Sequence, residues 1–176
     1  MLSDSPLSLE DVQSLVQKIE IVYRAGKPRL TDVSHCITLG DHVEYWALRI
    51  YINHATAQIL LNNTELPLTS EVSYIVFEKS IDILEAFLKL RQLSILTSHY
   101  WPVLQSCVLA ARFLMTRGVT GGAEEDNLRG RVEISVKALL LSLRSSCKEN
   151  ISVANGFSTG LSQTVVELEM LLDKIR

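Results

Sequence analysis

Between Asp41 and Asn63 the chain reads DHVEYWALRIYINHATAQILLNN, with no proline or glycine inside it. Wound at about 100° per residue, its polar positions gather into a narrow ridge of Arg49, Asn53 and Thr56. Nearly everything else around that helix is apolar. A surface helix presents a broad polar face, so the pattern predicts a helix over 41–62 that is packed on several sides. A membrane span is the other home for so apolar a stretch. Val43 to Leu61, however, holds Glu44, Arg49, Asn53, His54 and Gln58, groups that are costly in lipid. The segment reads as a core helix.

The same periodicity marks the elements on either side. Ser8 suits an N-cap, with Asp11 three residues on, and Val12, Leu15, Val16, Ile19, Val22 and Tyr23 follow at helical spacing. Gly26 and Pro28 end that helix, and residues 27–40 read as a connection. A third helix is predicted over 70–93. Its apolar side is Phe77, Ile81, Leu84 and Leu88, widened by Val76 and Phe87. Its polar side is Glu78, Asp82, Glu85 and Lys89, with Glu85 and Lys89 spaced as an i,i+4 pair. Pro102 fits the first turn of a fourth helix, which ends at Gly118. Gln105, Arg112 and Thr116 share one stripe of it, and Cys107, Ala110 and Ala111 form a small-residue face that permits close helix approach.

Residues 118–130, GVTGGAEEDNLRG, read as a flexible acidic loop. A fifth helix over 131–148 shows Val132, Val136, Leu139, Leu140 and Leu143. The last carries Leu161, Val165, Leu168, Leu172 and Ile175, a seam too short for a dimer zipper and therefore an intramolecular docking face. There is no fixed-period repeat and no convincing strand. The expected fold is all-α, a single bundle of about six helices, with residues 1–40 as an N-terminal helix and connection and 41–176 as the main helical domain.

Composition narrows the function. With 47% hydrophobic and 21% charged residues, the 176-residue chain can bury a core. Its net charge is −3, and its basic residues are scattered in doublets such as Lys27/Arg29, Arg129/Arg131 and Lys174/Arg176. Neutralising DNA phosphates needs a concentrated basic patch, so direct DNA binding is not expected. Cys36, Cys107 and Cys147 lie far apart, are odd in number and follow no secretory leader. That argues against a disulfide framework, and no pair has metal-ligand spacing. His35, Cys36 and His42 are close in sequence but fall short of the four ligands of a zinc site. Glu124, Glu125 and Asp126 would repel phosphate from Gly121–Gly122, and no serine has a nucleophile-elbow context. No enzyme activity, metal or cofactor is expected.

His54 is the most reactive side chain on the long helix. It reads either as a ligand-binding group or as a core histidine satisfied by a neighbour, and no carboxylate partner is identifiable from the sequence. Trp46 and Trp101 are both expected to be shielded, as core or as the wall of an apolar pocket. The candidate binding site is the space between the two most apolar helices, where Trp46, Ile50 and His54 would face Trp101, Leu104 and Cys107. These side chains either line a pocket or fill the core.

Three blocks, EYWALRIYINHATAQILLNN (44–63), VSYIVFEKSIDILEAFLKL (72–90) and SHYWPVLQSCVLAARFLMTRG (98–118), followed by two helices between Val132 and Ile175, resemble a known family. They are similar to the C-terminal part of the fungal-specific transcription factor domain, the middle homology region of binuclear-zinc-cluster regulators. The resemblance covers about residues 41–176 and rests on apolar patterns. It implies nuclear localisation and transcriptional control through other proteins or a small apolar ligand. The family's six-cysteine cluster and basic linker do not occur in these residues, and Asn62-Asn63-Thr64-Glu65 stands where the family has His-Arg-Pro. The resemblance therefore implies a regulatory part without its own DNA-binding module.

Overall fold

A computed structural model of the chain describes residues 9–25, 30–62, 70–93, 101–117, 123–150 and 155–175. Among them are six α-helices and no strand: α1 (Leu9–Arg24), α2 (Leu39–Asn62), α3 (Ser70–Gln92), α4 (Trp101–Arg117), α5 (Ala123–Asn150) and α6 (Asn155–Ile175). A single 3₁₀ turn, Val33–His35, interrupts the first connection. The protein is an all-α bundle.

The long apolar helix α2 starts two residues earlier than its pattern indicates, because Thr38 and Asp41 form a capping box. The Asp41 backbone N–H donates to Thr38 Oγ1 at 3.1 Å. The Asp41 carboxylate accepts from Thr38 N–H at 2.8 Å and from Ile37 N–H at 3.1 Å. These bonds, the Thr38 backbone bond foremost, hold its carboxyl below the usual aspartate range.

From that start α2 runs through the bundle against α1, α3 and α4. The ridge of Arg49, Asn53 and Thr56 is not a solvent face. Asn53 and Thr56 are 5% and 1% exposed, and Arg49 alone reaches out to Asp82 of α3 at 3.5 Å. Thr56 is buried at little cost because its hydroxyl donates to the Ile52 carbonyl one turn back, at 2.9 Å. Ser80, Ser106 and Ser135 use the same device toward Val76, Pro102 and Arg131.

Helices α2 and α3 pair antiparallel: Ala57 and Leu60 near the end of α2 cluster with Val72 and Val76 near the start of α3. The buried line of α3 is Val76, Ile83, Leu84, Phe87 and Leu90, whereas Phe77, Ile81 and Leu88 flank it half-buried. The core side is thus turned from the predicted one, because α4 and α5 as well as α2 claim this helix. Glu85 pairs with Arg131 of α5 rather than with Lys89. A tertiary neighbour outcompetes the local pair.

Helix α4 sits at the centre, against α2, α3, α5 and α6. Cys107 and Ala111 are fully buried, and Ala110 nearly so. The α5 residues Val132, Val136, Leu139, Leu140 and Leu143 are all buried, as are Val165, Leu168 and Leu172 of α6. The short seam of α6 is therefore an intramolecular face, docked on α4 and α5. The side chains of Leu161 and Ile175 lie outside the described residues. Helix α1 packs mainly on α2. Its Val16 meets the Ala57–Leu60–Val72–Val76 cluster, while Val22 and Tyr23 of its predicted apolar face are exposed. One neighbouring helix covers only one line of side chains.

The predicted acidic loop needs correction. Ala123 to Gly130 is the first part of α5, and only residues 118–122 of that segment fall outside the described residues. Ala, Leu and Arg are strong helix formers, and Glu124, Glu125 and Asp126 favour a helix N-terminus. Gly130 then lies inside a helix, where a Cβ would meet nothing within 4 Å. Gly130→Ala is expected to stabilise the fold by about 0.5–1 kcal/mol by restricting the unfolded chain. The urea midpoint measures it, and an unchanged or lowered midpoint would place Gly130 outside the helix.

Candidate functional site

Helix α2 carries Tyr51 and His54 one turn apart on its flank. Facing them, α4 presents Pro102, Gln105, Ser106, Val108, Leu109 and Arg112, and α6 adds Thr164. Together they enclose a cleft of about 390 Å³. That is near the small end of the roughly 300–1,000 Å³ usual for small-molecule sites. Tyr51, Pro102, Val108 and Leu109 supply apolar wall, and His54, Gln105, Ser106, Arg112 and Thr164 supply polar atoms.

The electrostatics of the cleft are one-sided. Among the described residues none in the lining is an aspartate or glutamate. The Arg112 guanidinium donates through Nη2 to the Glu167 carboxylate of α6. Its Nε is buried and has no hydrogen-bond acceptor among the described residues. The Ser106 hydroxyl donates to the Pro102 carbonyl at 3.0 Å, which leaves its oxygen able to accept. Burial disfavours the charged imidazole, so the His54 pKa lies below the ordinary value. At neutral pH His54 therefore offers one donor and one acceptor.

The lowered His54 pKa carries a stability consequence. As pH falls, the unfolded chain takes up the histidine proton before the folded one does, so this residue subtracts stability as pH drops through the ordinary imidazole range. His54→Gln is expected to flatten the fall in melting temperature between about pH 7 and 5. Parallel melting curves for both proteins would mean that His54 is not desolvated.

Of the residues named from the sequence whose side chains are described, His54 alone lines the cleft. Ile50, Leu104 and Cys107 are packed in the main core at 0%, 3% and 0% exposure. Burial pushes the Cys107 thiol far up, so it fills space and does not react at neutral pH. Trp46 is half-buried rather than fully shielded, edge-on to Tyr45 with ring centroids 4.9 Å apart. A side chain this large rarely disappears completely from the surface. The Trp101 side chain lies outside the described residues. The sequence pattern pointed to the same helix pair that borders this cleft, but to side chains that the structure packs into the core. The signal for the flank was the polar stripe of α4, which contains Gln105 and Arg112. Thr164 had none, because the docking of α6 is tertiary.

His35, Cys36 and His42 do not assemble a centre. Among the described residues no group of three or more His, Cys, Asp or Glu is placed to hold a metal ion. The Cys36 thiol donates to the Asp41 carbonyl at 3.6 Å. Among the same residues no helix is long and apolar enough to cross a membrane.

No family model, no curated protein and no solved structure matches this chain. None of these comparisons identifies a fungal transcription factor domain.

Proposed function

We propose that this chain is a non-catalytic regulatory domain that responds to a small, mainly apolar ligand held between α2, α4 and α6. The observation that carries the reading is the cleft itself, apolar-walled with a few convergent polar groups, the usual composition of a small-molecule site. The resemblance of the three apolar blocks extends the proposal to transcriptional control in the nucleus, through other proteins and without a DNA-binding module of its own. The disposition of charge bears on one part of that extension, the lack of a DNA-binding module. Arg24, Arg49, Arg112, Arg131, Lys137 and Arg144 each pair with a carboxylate, so they are not grouped to meet phosphates.

The test is a thermal-shift screen of hydrophobic metabolites, paired with a DNA mobility-shift assay at physiological salt. A ligand at about a hundred times its Kd should raise the melting temperature by roughly 5–10 °C. His54→Leu should reduce that rise while leaving the helical spectrum intact, and no DNA shift is expected. Ligand shifts that ignore His54→Leu would overturn the site, and nanomolar sequence-specific DNA binding would overturn the mode of action.

A generic helical interaction module unrelated to transcription is the second reading. Exposed Val166 and Met170 on α6 favour it. It predicts variants at those two positions that lose a protein partner, with no small-molecule response at His54.

A further inference from the structure

The polar groups of the cleft say more than that something apolar fits. We propose that the ligand is an amphipathic monocarboxylate, its acid group on Arg112 and its apolar body against Tyr51, Pro102, Val108 and Leu109. This rests on the reading of the cleft as a ligand site.

Arg112 has hydrogen-bonding capacity left over. A guanidinium presents Nε–H and one Nη–H along the same edge, a fork that matches the two oxygens of a carboxylate. Glu167 engages Nη2, and Nε is buried without an acceptor among the described residues. An unfilled buried donor is costly, and most such atoms in folded proteins are satisfied. A carboxylate seated on the fork would fill Nε and Nη together. Arg112 must swing off Glu167 to receive it, which is feasible for a side chain that remains 37% exposed. Glu167 is then a competitor for the same edge, a placeholder for the acid group of the ligand.

The rest of the lining selects the class of anion. Among the described residues no aspartate or glutamate lines the cleft, and Glu167 meets the ligand's acid group only as the competitor on Arg112. Among the same residues Arg112 is the one Lys or Arg in the lining, so a dianionic phosphate would find a single full positive charge to meet it. His54 and the Ser106 hydroxyl oxygen can take one further polar group on the ligand. The volume of about 390 Å³ holds a modest apolar body.

The experiment uses the full chain and two matched probes, octanoate and its neutral analogue octanamide, followed by calorimetry or thermal shift at pH 7. Octanoate is expected to bind about ten-fold tighter or better, the usual worth of a charge-assisted hydrogen bond. Arg112→Gln should remove that preference and leave weak binding of both probes. Glu167→Gln should strengthen octanoate binding several-fold, because the competing carboxylate is gone, and should leave octanamide unchanged. That rise is one a merely structural salt bridge would not give. Equal binding of the two probes to the parent chain would overturn the carboxylate assignment and leave the apolar-ligand reading standing. Tighter octanoate binding that survives Arg112→Gln would place the acid group elsewhere and also overturn it. No binding of either probe would overturn the assignment, and with it the cleft as an apolar-ligand site.

Discussion

Replacing Phe87 by alanine is expected to cost about 3–5 kcal/mol and to lower the melting temperature by roughly 6–20 °C. Among the described residues Phe87 is the largest fully buried side chain, on the α3 face that meets the main core. Its removal forfeits the transfer of a whole ring out of water and leaves a cavity that a packed bundle can only partly close. Domains are stable by about 5–15 kcal/mol in all, so the loss is a large share. The neighbouring Phe77 is half-buried and should cost clearly less when truncated. That ordering is a sharp test of the rotation of α3. The apolar pattern centred on Phe77, Ile81, Leu84 and Leu88, and a larger effect at Phe77 than at Phe87 would restore that face.

Ala111→Leu is the second large effect, in the opposite sense of volume. Ala111 is fully buried on the face of α4 that also carries Cys107 and Ala110, where small side chains let several helices approach. Extra methylenes there must push helices apart or force strained rotamers, at about 1–3 kcal/mol or more. Thr116, on the exposed stripe of the same helix, provides the control: Thr116→Leu should stay within about 0.5 kcal/mol of the parent. Chemical denaturation of the two variants decides it. Equal stability would mean that α4 is not the central helix.

The fold was largely legible because helical period and burial coincide in this chain. The core positions of α4 and α5, and Val165, Leu168 and Leu172 of α6, are those their apolar spacing selects. The failures have physical causes. Helix α2 began early because Thr38, three residues before Asp41, was not recognised as the start of a capping box. Residues from Ala123 were given to a loop because the neighbouring glycines outweighed their helix-forming character. The narrow polar ridge of α2 read correctly as a helix packed on several sides, but periodicity could not register that Thr56 satisfies its hydroxyl inside its own helix. The site was half legible. His54 stood out as a polar group on an apolar helix, but the flank it shares with Arg112 and Thr164 depends on how three helices dock, and helix spacing carries no such information.

The central claim is that a small apolar ligand binds between α2, α4 and α6. Backbone amide NMR of the full chain, titrated with octanoate, tests it most directly. The account predicts saturable shifts at Tyr51, His54, Gln105, Ser106, Leu109 and Thr164, with α1 unmoved. Shifts confined to the outer face of α6 around Val166 and Met170, or no saturable shifts at all, would contradict it.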